Sequence, residues 1–276
     1  MSAAHQFKAL FGRAFGEHDL LMLFSMRIDE TGTDGTSDFV TIGGAVATIP
    51  LWDALEAKWD GYLGEKSVPA FHLKEFDQRL EPFANWGDMK RRNFENRLKK
   101  IVDENTTFRV ALSIDSAAHK SVKDRMRGIK GFAADSDYAL CLRFLMFHTC
   151  DQLEKIDPDC RLSIIVEDGP WASGAAATYQ KVAAMSGKWK PAKHAHRLAG
   201  FGSQPKGVLR SLEAADFIVG REHDRLVAGR RAPRRDTILS HLLSADDLEG
   251  WYEGMIREKE HRRSHANRPK TGEALQ

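Results

Sequence analysis

The chain has 276 residues, 42% of them hydrophobic and 29% charged, and 41 basic side chains against 39 acidic ones leave a net charge of +2. With domains usually near ~150 residues, this length allows one large domain or two small ones, and the composition excludes a mostly disordered chain. No apolar run approaches the roughly 18 residues of a membrane span, and no secretory h-region leads into a cleavage site. Cys141, Cys150 and Cys160 form neither a CxxC pair nor an even-numbered disulfide framework, so a reduced, cytoplasmic protein is expected.

Leu21 to Ile28 reads as a strand, apolar at nearly every position and so buried on both faces, running into Asp29-Glu30 and a turn-rich stretch. Phe39 to Ala47 reads as its hairpin partner. Trp52, Leu55, Trp59 and Leu63 have helical spacing, and Val68 to Phe83, with two prolines, reads as an irregular crossing. Met89 to Asn105 is helical, with Phe94, Leu98, Ile101 and Val102 on one face, and Phe108 to Ile114 alternates as a third strand. Tyr138 to Leu153 is apolar nearly all round, as in a helix covered on several sides. Leu162 to Val166 is a short apolar strand ending at Glu167-Asp168-Gly169. A helix over Ala172 to Met185, a weak strand near His196 to Phe201, and a long helix over Leu209 to Val227 follow. The remainder reads as helical pieces and a polar tail over 257–276, leaving residues 1–256 as one domain. An antiparallel opening followed by alternating helices and strands predicts a three-layer α/β fold with a mixed sheet.

Charge is unevenly spread. Residues 1–180 carry 22 basic against 27 acidic side chains, residues 181–235 carry 13 against 4, and the remaining 41 carry 6 against 8. A basic segment of this kind either coats solvated helix faces or holds a polyanion beside carboxylates.

The chemistry-bearing pattern is acidic. One strand runs out at Ile28-Asp29-Glu30 and another at Val166-Glu167-Asp168. In open α/β sheets ligands collect at the carboxyl ends of strands, and converging carboxylates repel unless a proton or a hard divalent cation intervenes. Taken singly, either pair is also an ordinary strand-end turn. On the last long helix, Glu213, Asp216, Gly220 and His223 share one face, and Asp216 lies among apolar residues; the same spacing also suits a solvated polar stripe. His72 and Glu75 are three apart, and His194 and His196 alternate as in a strand, with no Cys or third His to complete a zinc set. No P-loop, dinucleotide fingerprint or GxSxG elbow is present.

Four segments occur in order: Ile28-Asp29-Glu30-Thr31-Gly32, Ile42-Gly43-Gly44-Ala45-Val46, Val166-Glu167-Asp168-Gly169 and Leu212-Glu213-Ala214-Ala215-Asp216. Together they resemble the bacterial and phage family catalogued as domain of unknown function 3800, over roughly residues 22–230. Phe71-His72-Leu73-Lys74-Glu75 resembles the His-containing segment that family often carries. Thr31 stands where the family has Ser, keeping the hydroxyl. Glu213 stands where it has Gln, adding negative charge beside Asp216.

The resemblance implies a ribonuclease H-like fold with a mixed five-stranded central sheet and helices on both faces. It implies Asp29, Glu167 and Asp216 as core carboxylates, Glu30, Glu75 and Asp168 as supporting ones, and Mg²⁺ or Mn²⁺ as the cofactor. On this reading Asp29 bridges two cations, Glu167 and Asp216 hold one each, and Lys206 or His223 assists with charge or proton transfer. Lys188, Lys190, Lys193, Arg197, Lys206 and Arg210 would hold a phosphate backbone across the cluster. The function implied is a metal-dependent nuclease. The alternative is a non-catalytic module of the same fold that binds nucleic acid or a partner, with a defence or toxin component compatible with either. The fold by itself does not decide between them. A homodimer or a protein partner is compatible with both.

Overall fold

The computed structural model describes residues 23–35, 37–185, 193, 195–205, 207–229 and 238–266. The strands are β1 (Leu23–Thr31), β2 (Phe39–Thr48), β3 (Phe108–Asp115), β4 (Arg161–Glu167), β5 (Leu198–Gln204) and β6 (Ile238–Leu243). The helices are α1 (Ile49–Glu65), α2 (Leu73–Asp77), α3 (Asp88–Asn105), α4 (Ser116–Met126), α5 (Asp137–Ile156), α6 (Ala172–Ala183), α7 (Arg210–Val227) and α8 (Ala245–Ala266). Among the described residues, no helix is long and apolar enough to cross a membrane.

One six-stranded sheet has the order β5-β4-β1-β2-β3-β6. β1, β2 and β3 form an antiparallel meander, β4 and β5 add in parallel beside β1, and β6 lies parallel to β3. The five strands from β3 to β5 form the expected mixed sheet, with helices on both faces. The sixth strand corrects the expected count. Ile238, Leu239, Leu242 and Leu243 have the i, i+1, i+4, i+5 spacing of a helix face, which hides a half-exposed edge strand in the sequence.

Alternation along β1 divides the core in two. Phe24, Met26 and Ile28 face a layer built from α4, α5, α6 and α8, including Leu142, Leu145, Cys150, Val182 and Trp251. Leu23 faces the other layer, where Trp52, Leu55, Trp59 and Leu63 of α1 pack with Phe94, Leu98, Ile101 and Val102 of α3 and with Phe217 and Ile218 of α7. The segment between α1 and α3 is bound into this second layer by an aromatic knot, with Phe71 touching the rings of Trp59, Phe76, Phe83, Phe94 and Phe217 at 5.8–6.2 Å. Burying side chains of this size contributes about 1.5–3 kcal/mol each, so the crossing is firmly placed although it holds little regular structure.

Two boundaries differ from the sequence reading in ways that bear on function. β1 does not stop at Ile28 but continues through Asp29, Glu30 and Thr31, because Thr31 still pairs with Thr41 of β2. The chain from 257 to 266, read in sequence as the start of a polar tail, is helical and continues α8. The Gly43-Gly44 pair opposite Ile28 and Asp29 has a steric cause. A Cβ on Gly43 would lie 2.3 Å from the Val110 carbonyl oxygen, and one on Gly44 (φ +154°) would lie 1.9 Å from that of Arg27.

Candidate active site

Since β1 continues through the acidic pair, Asp29 and Glu30 point to opposite faces of the sheet edge, Asp29 toward α7 and Glu30 toward α5. β4 runs parallel to β1 and ends beside it, with Val166 level with Ile28, so Glu167 emerges at the same edge. α7 crosses this edge from the other side and delivers Asp216. The result is a cleft of about 240 Å³ lined by Asp29, Glu30, His72, Lys74, Glu167, Gly207, Leu209, Leu212, Glu213 and Asp216.

The carboxylates feel one another. Burial, then Asp216 and Glu30, and more weakly Glu167, hold the Asp29 carboxyl well above the usual range, against one hydrogen bond from the Glu30 amide at 2.8 Å. Burial and Glu167 push Glu30 up to about 7. This is the signature of negative charge gathered without enough compensation. Among the described residues no three Asp, Glu, His or Cys side chains stand closed around one point at metal-ligand distance. The donor set is nonetheless hard oxygen with one imidazole at the rim, which suits Mg²⁺ or Mn²⁺ and not a thiolate-seeking metal.

The residues around the cleft are held by side chains that serve structure. Glu213 is 5% exposed, and its Oε2 accepts from Trp59 Nε1 (3.0 Å) and the Phe71 amide (3.1 Å), while Oε1 accepts from Arg210 (2.6 Å). The charge of Glu213 is therefore matched by Arg210, which also binds Asp60 at 2.8 Å. Asp216 Oδ2 accepts from the Leu73 amide at 2.9 Å, and the Leu73 side chain lies in the notch left by Gly220. Arg221 holds Asp77 at the far end of α2. These contacts fix the short segment that presents His72 and Lys74. Beneath Asp29 on the same strand face, Arg27 is fully buried and donates to Ser25 Oγ (2.5 Å) and Ser211 Oγ (3.2 Å), and Ser211 donates to Glu56 (2.7 Å). Burial carries Arg27 down to about 10, against Glu56 and Asp53 nearby, so it remains charged at neutral pH. It ties β1 to the first turn of the helix that bears Asp216.

The sequence-predicted residues separate accordingly. Asp29, Glu30, Glu167, Asp216, Glu213 and His72 share the cleft. Glu75 and Asp168 do not line it; Asp168 is exposed beyond β4, its amide bonded to Gln204. His223 lies elsewhere on α7, its ring nitrogens bonded to Thr41 Oγ1 (3.1 Å) and Ser37 Oγ (3.2 Å), and burial lowers its proton affinity. Lys188, Lys190 and Lys206 lie outside the described residues. Lys193 and Arg197 correct the expectation of a phosphate grip across the cluster. They sit where β4 and β5 begin, the end of the sheet opposite the carboxylates, Lys193 with Asp151 and Glu154, and Arg197 with Glu154 and the Pro158 carbonyl. Over the seven residues of β4 that is roughly 20 Å away. Lys74 is the one charged lining residue that the sequence did not single out; its only signal is its place two residues after His72.

No family model matches the chain, and no curated protein matches it. Among solved structures the chain is similar to Bst-RNase HIII in complex with Mn²⁺, at 15% identity and a TM-score of 0.37, over 78% of this chain. The matched part spans 58% of that ribonuclease chain.

Proposed function

We propose that this protein is a divalent-metal-dependent nuclease of the family catalogued as domain of unknown function 3800. The observation that carries the reading is the delivery of Asp29, Glu30, Glu167 and Asp216 from β1, β4 and α7 to one cleft, where burial and the neighbouring carboxylates raise the proton affinity of Asp29 and Glu30.

Asp29, Glu167 and Asp216 would hold Mg²⁺ or Mn²⁺, with Glu30 at the rim. When bound, the cation supplies Lewis-acid activation of water and neutralises charge that develops on the leaving oxygen. The chain's own residues do the rest. Arg27 and Ser211 keep β1 and α7 in register, so that Asp29 and Asp216 stay opposed. The Leu73 amide fixes one oxygen of Asp216, and Lys74 offers the cleft a positive charge for a phosphate oxygen. His72, half-buried at the mouth, is within the lining to exchange a proton with a leaving or attacking oxygen.

The test is direct. Labelled single-stranded, duplex and hybrid oligonucleotides are incubated with the purified protein in Mg²⁺, Mn²⁺ or chelator. Metal-dependent cleavage that Asp29→Asn abolishes while binding persists supports the nuclease. Binding with no cleavage under any metal would make the protein a module of the same fold, and neither binding nor cleavage would remove nucleic acid from the reading.

A further inference from the structure

Across Glu30 from the cleft, the carboxylate edge has an aromatic neighbour that the carboxylate chemistry leaves unused. Tyr138 lies in the first turn of α5, on the face toward which Glu30 points, and is 4% exposed. Burial, then Glu30 and Asp29, raise its phenol above the ordinary value, which places the ring in the field of the cluster. Trp171 ends the turn that follows Glu167 and caps α6. Its indole lies against the Tyr138 ring, centroids 5.3 Å apart and planes 16° from parallel. The indole nevertheless stays 37% exposed, and it is the one aromatic among the large hydrophobic side chains that are exposed in the described residues.

Trp171 is four residues beyond Glu167, so at most about 14 Å of chain separates them. One side of the indole is set by a buried ring, and its orientation is therefore fixed before any ligand arrives. A large aromatic surface left partly open here, on the other side of Glu30 from the acidic cleft, has a specific complement. Nucleobases stack on such platforms whatever their identity, because each has a π-face. A base inside a duplex already has neighbours on both faces, so the platform selects one that is unpaired.

The geometry points to Trp171 as a stacking platform for an unpaired nucleobase beside the phosphate held at the carboxylate cleft, which makes single-stranded nucleic acid, or a single-stranded end, the substrate class. This rests on the nuclease reading above and adds the strandedness of its substrate.

The test uses the full chain and fluorescein-labelled 12-mers, single-stranded and blunt duplex, with Ca²⁺ standing in for Mg²⁺ and anisotropy read at three salt concentrations. Trp171→Ala and Trp171→Leu should weaken single-strand binding by about 5- to 100-fold, with Trp171→Phe restoring most of it. The slope of log affinity against log salt should stay the same, because stacking releases no counterions. Duplex binding should be unchanged. Melting temperatures of the Leu and Phe variants show whether the fold is intact. Equal losses for both strand types, or single-strand binding within two-fold of wild type in the Ala and Leu variants, would overturn the platform. If wild type cleaves in Mn²⁺ while the Trp171 variants bind as it does, the platform alone fails. If wild type neither binds nor cleaves any oligonucleotide, the nuclease reading fails and the platform with it.

Discussion

Glu30→Gln tests whether the carboxylates at the ends of β1 and β4 are strained by their own charge. Burial and Glu167 carry the Glu30 carboxyl from an ordinary 4.5 to about 7. A folded-state value above the unfolded one means that the native state binds the extra proton. The cost of ionisation is therefore absent below about pH 4.5, grows as pH rises toward 7, and is complete above it. At ~1.4 kcal/mol per pH unit, the interval corresponds to about 3 kcal/mol at pH 8 and about 1 kcal/mol at pH 5. Glutamine mimics the protonated carboxyl, so in chelator the variant should melt roughly 5–10 °C above wild type at pH 8 and much closer to it at pH 5. Millimolar Mg²⁺ should reverse the comparison: wild type should gain more at pH 8 than at pH 5, and the variant should gain less, having lost the rim charge that a cation beside Glu167 would offset. Thermal melts at pH 5, 6.5 and 8, with and without metal, read all of this. A variant less stable than wild type at pH 8, or a gap that ignores pH, would refute the reasoning.

Asp29→Asn removes the most crowded charge in the cleft, so in chelator at pH 8 it should be neutral or stabilising while abolishing the Mg²⁺-dependent rise in melting temperature. Glu213→Ala strands Trp59 Nε1, the Phe71 amide and Arg210 at once and should cost about 3–5 kcal/mol in urea unfolding. Glu213→Gln keeps acceptors for two of them and should cost about 1–2 kcal/mol. Lys193→Glu should leave cleavage and oligonucleotide affinity unchanged within two-fold, since its partners Asp151 and Glu154 lie at the far end of the sheet; a loss of ten-fold or more would return the basic segment to the site.

Which residues were legible depended on how local their signal is. β1, β2 and β3 and the helices α1, α3, α5 and α7 declare themselves through apolar periodicity over eight or more residues, whereas β6 does not. α4 does not, because only His119, Val122 and Met126 of its eleven residues are buried. The acidic pairs were legible as strand-end features. The side of the sheet to which each carboxylate points was not, because that depends on β1 continuing to Thr31, which its pairing with β2 decides. Within the basic run 181–235, Lys193 and Arg197 misled for the same reason: linear proximity to Asp216 says nothing about which end of β5 a basic residue occupies.

The helix motif Leu212-Glu213-Ala214-Ala215-Asp216 shows where reading chemistry from sequence runs out. In sequence, Glu213 and Asp216 are two acids of one face and compete for the same role. In the fold they divide it. Glu213 spends both oxygens on Trp59, Phe71 and Arg210, while Asp216 gives one oxygen to the Leu73 amide and stays within reach of Asp29. The same two contacts fasten residues 71–73, and so set the position of His72 and Lys74 at the cleft mouth. A substitution at Glu213 therefore acts on the chemistry through the placement of that segment, and it should change how tightly substrate is held at Lys74 before it changes how the carboxylates hold a cation. The order of those losses, affinity for oligonucleotide first and metal-dependent stabilisation second, follows from the two acids having different partners.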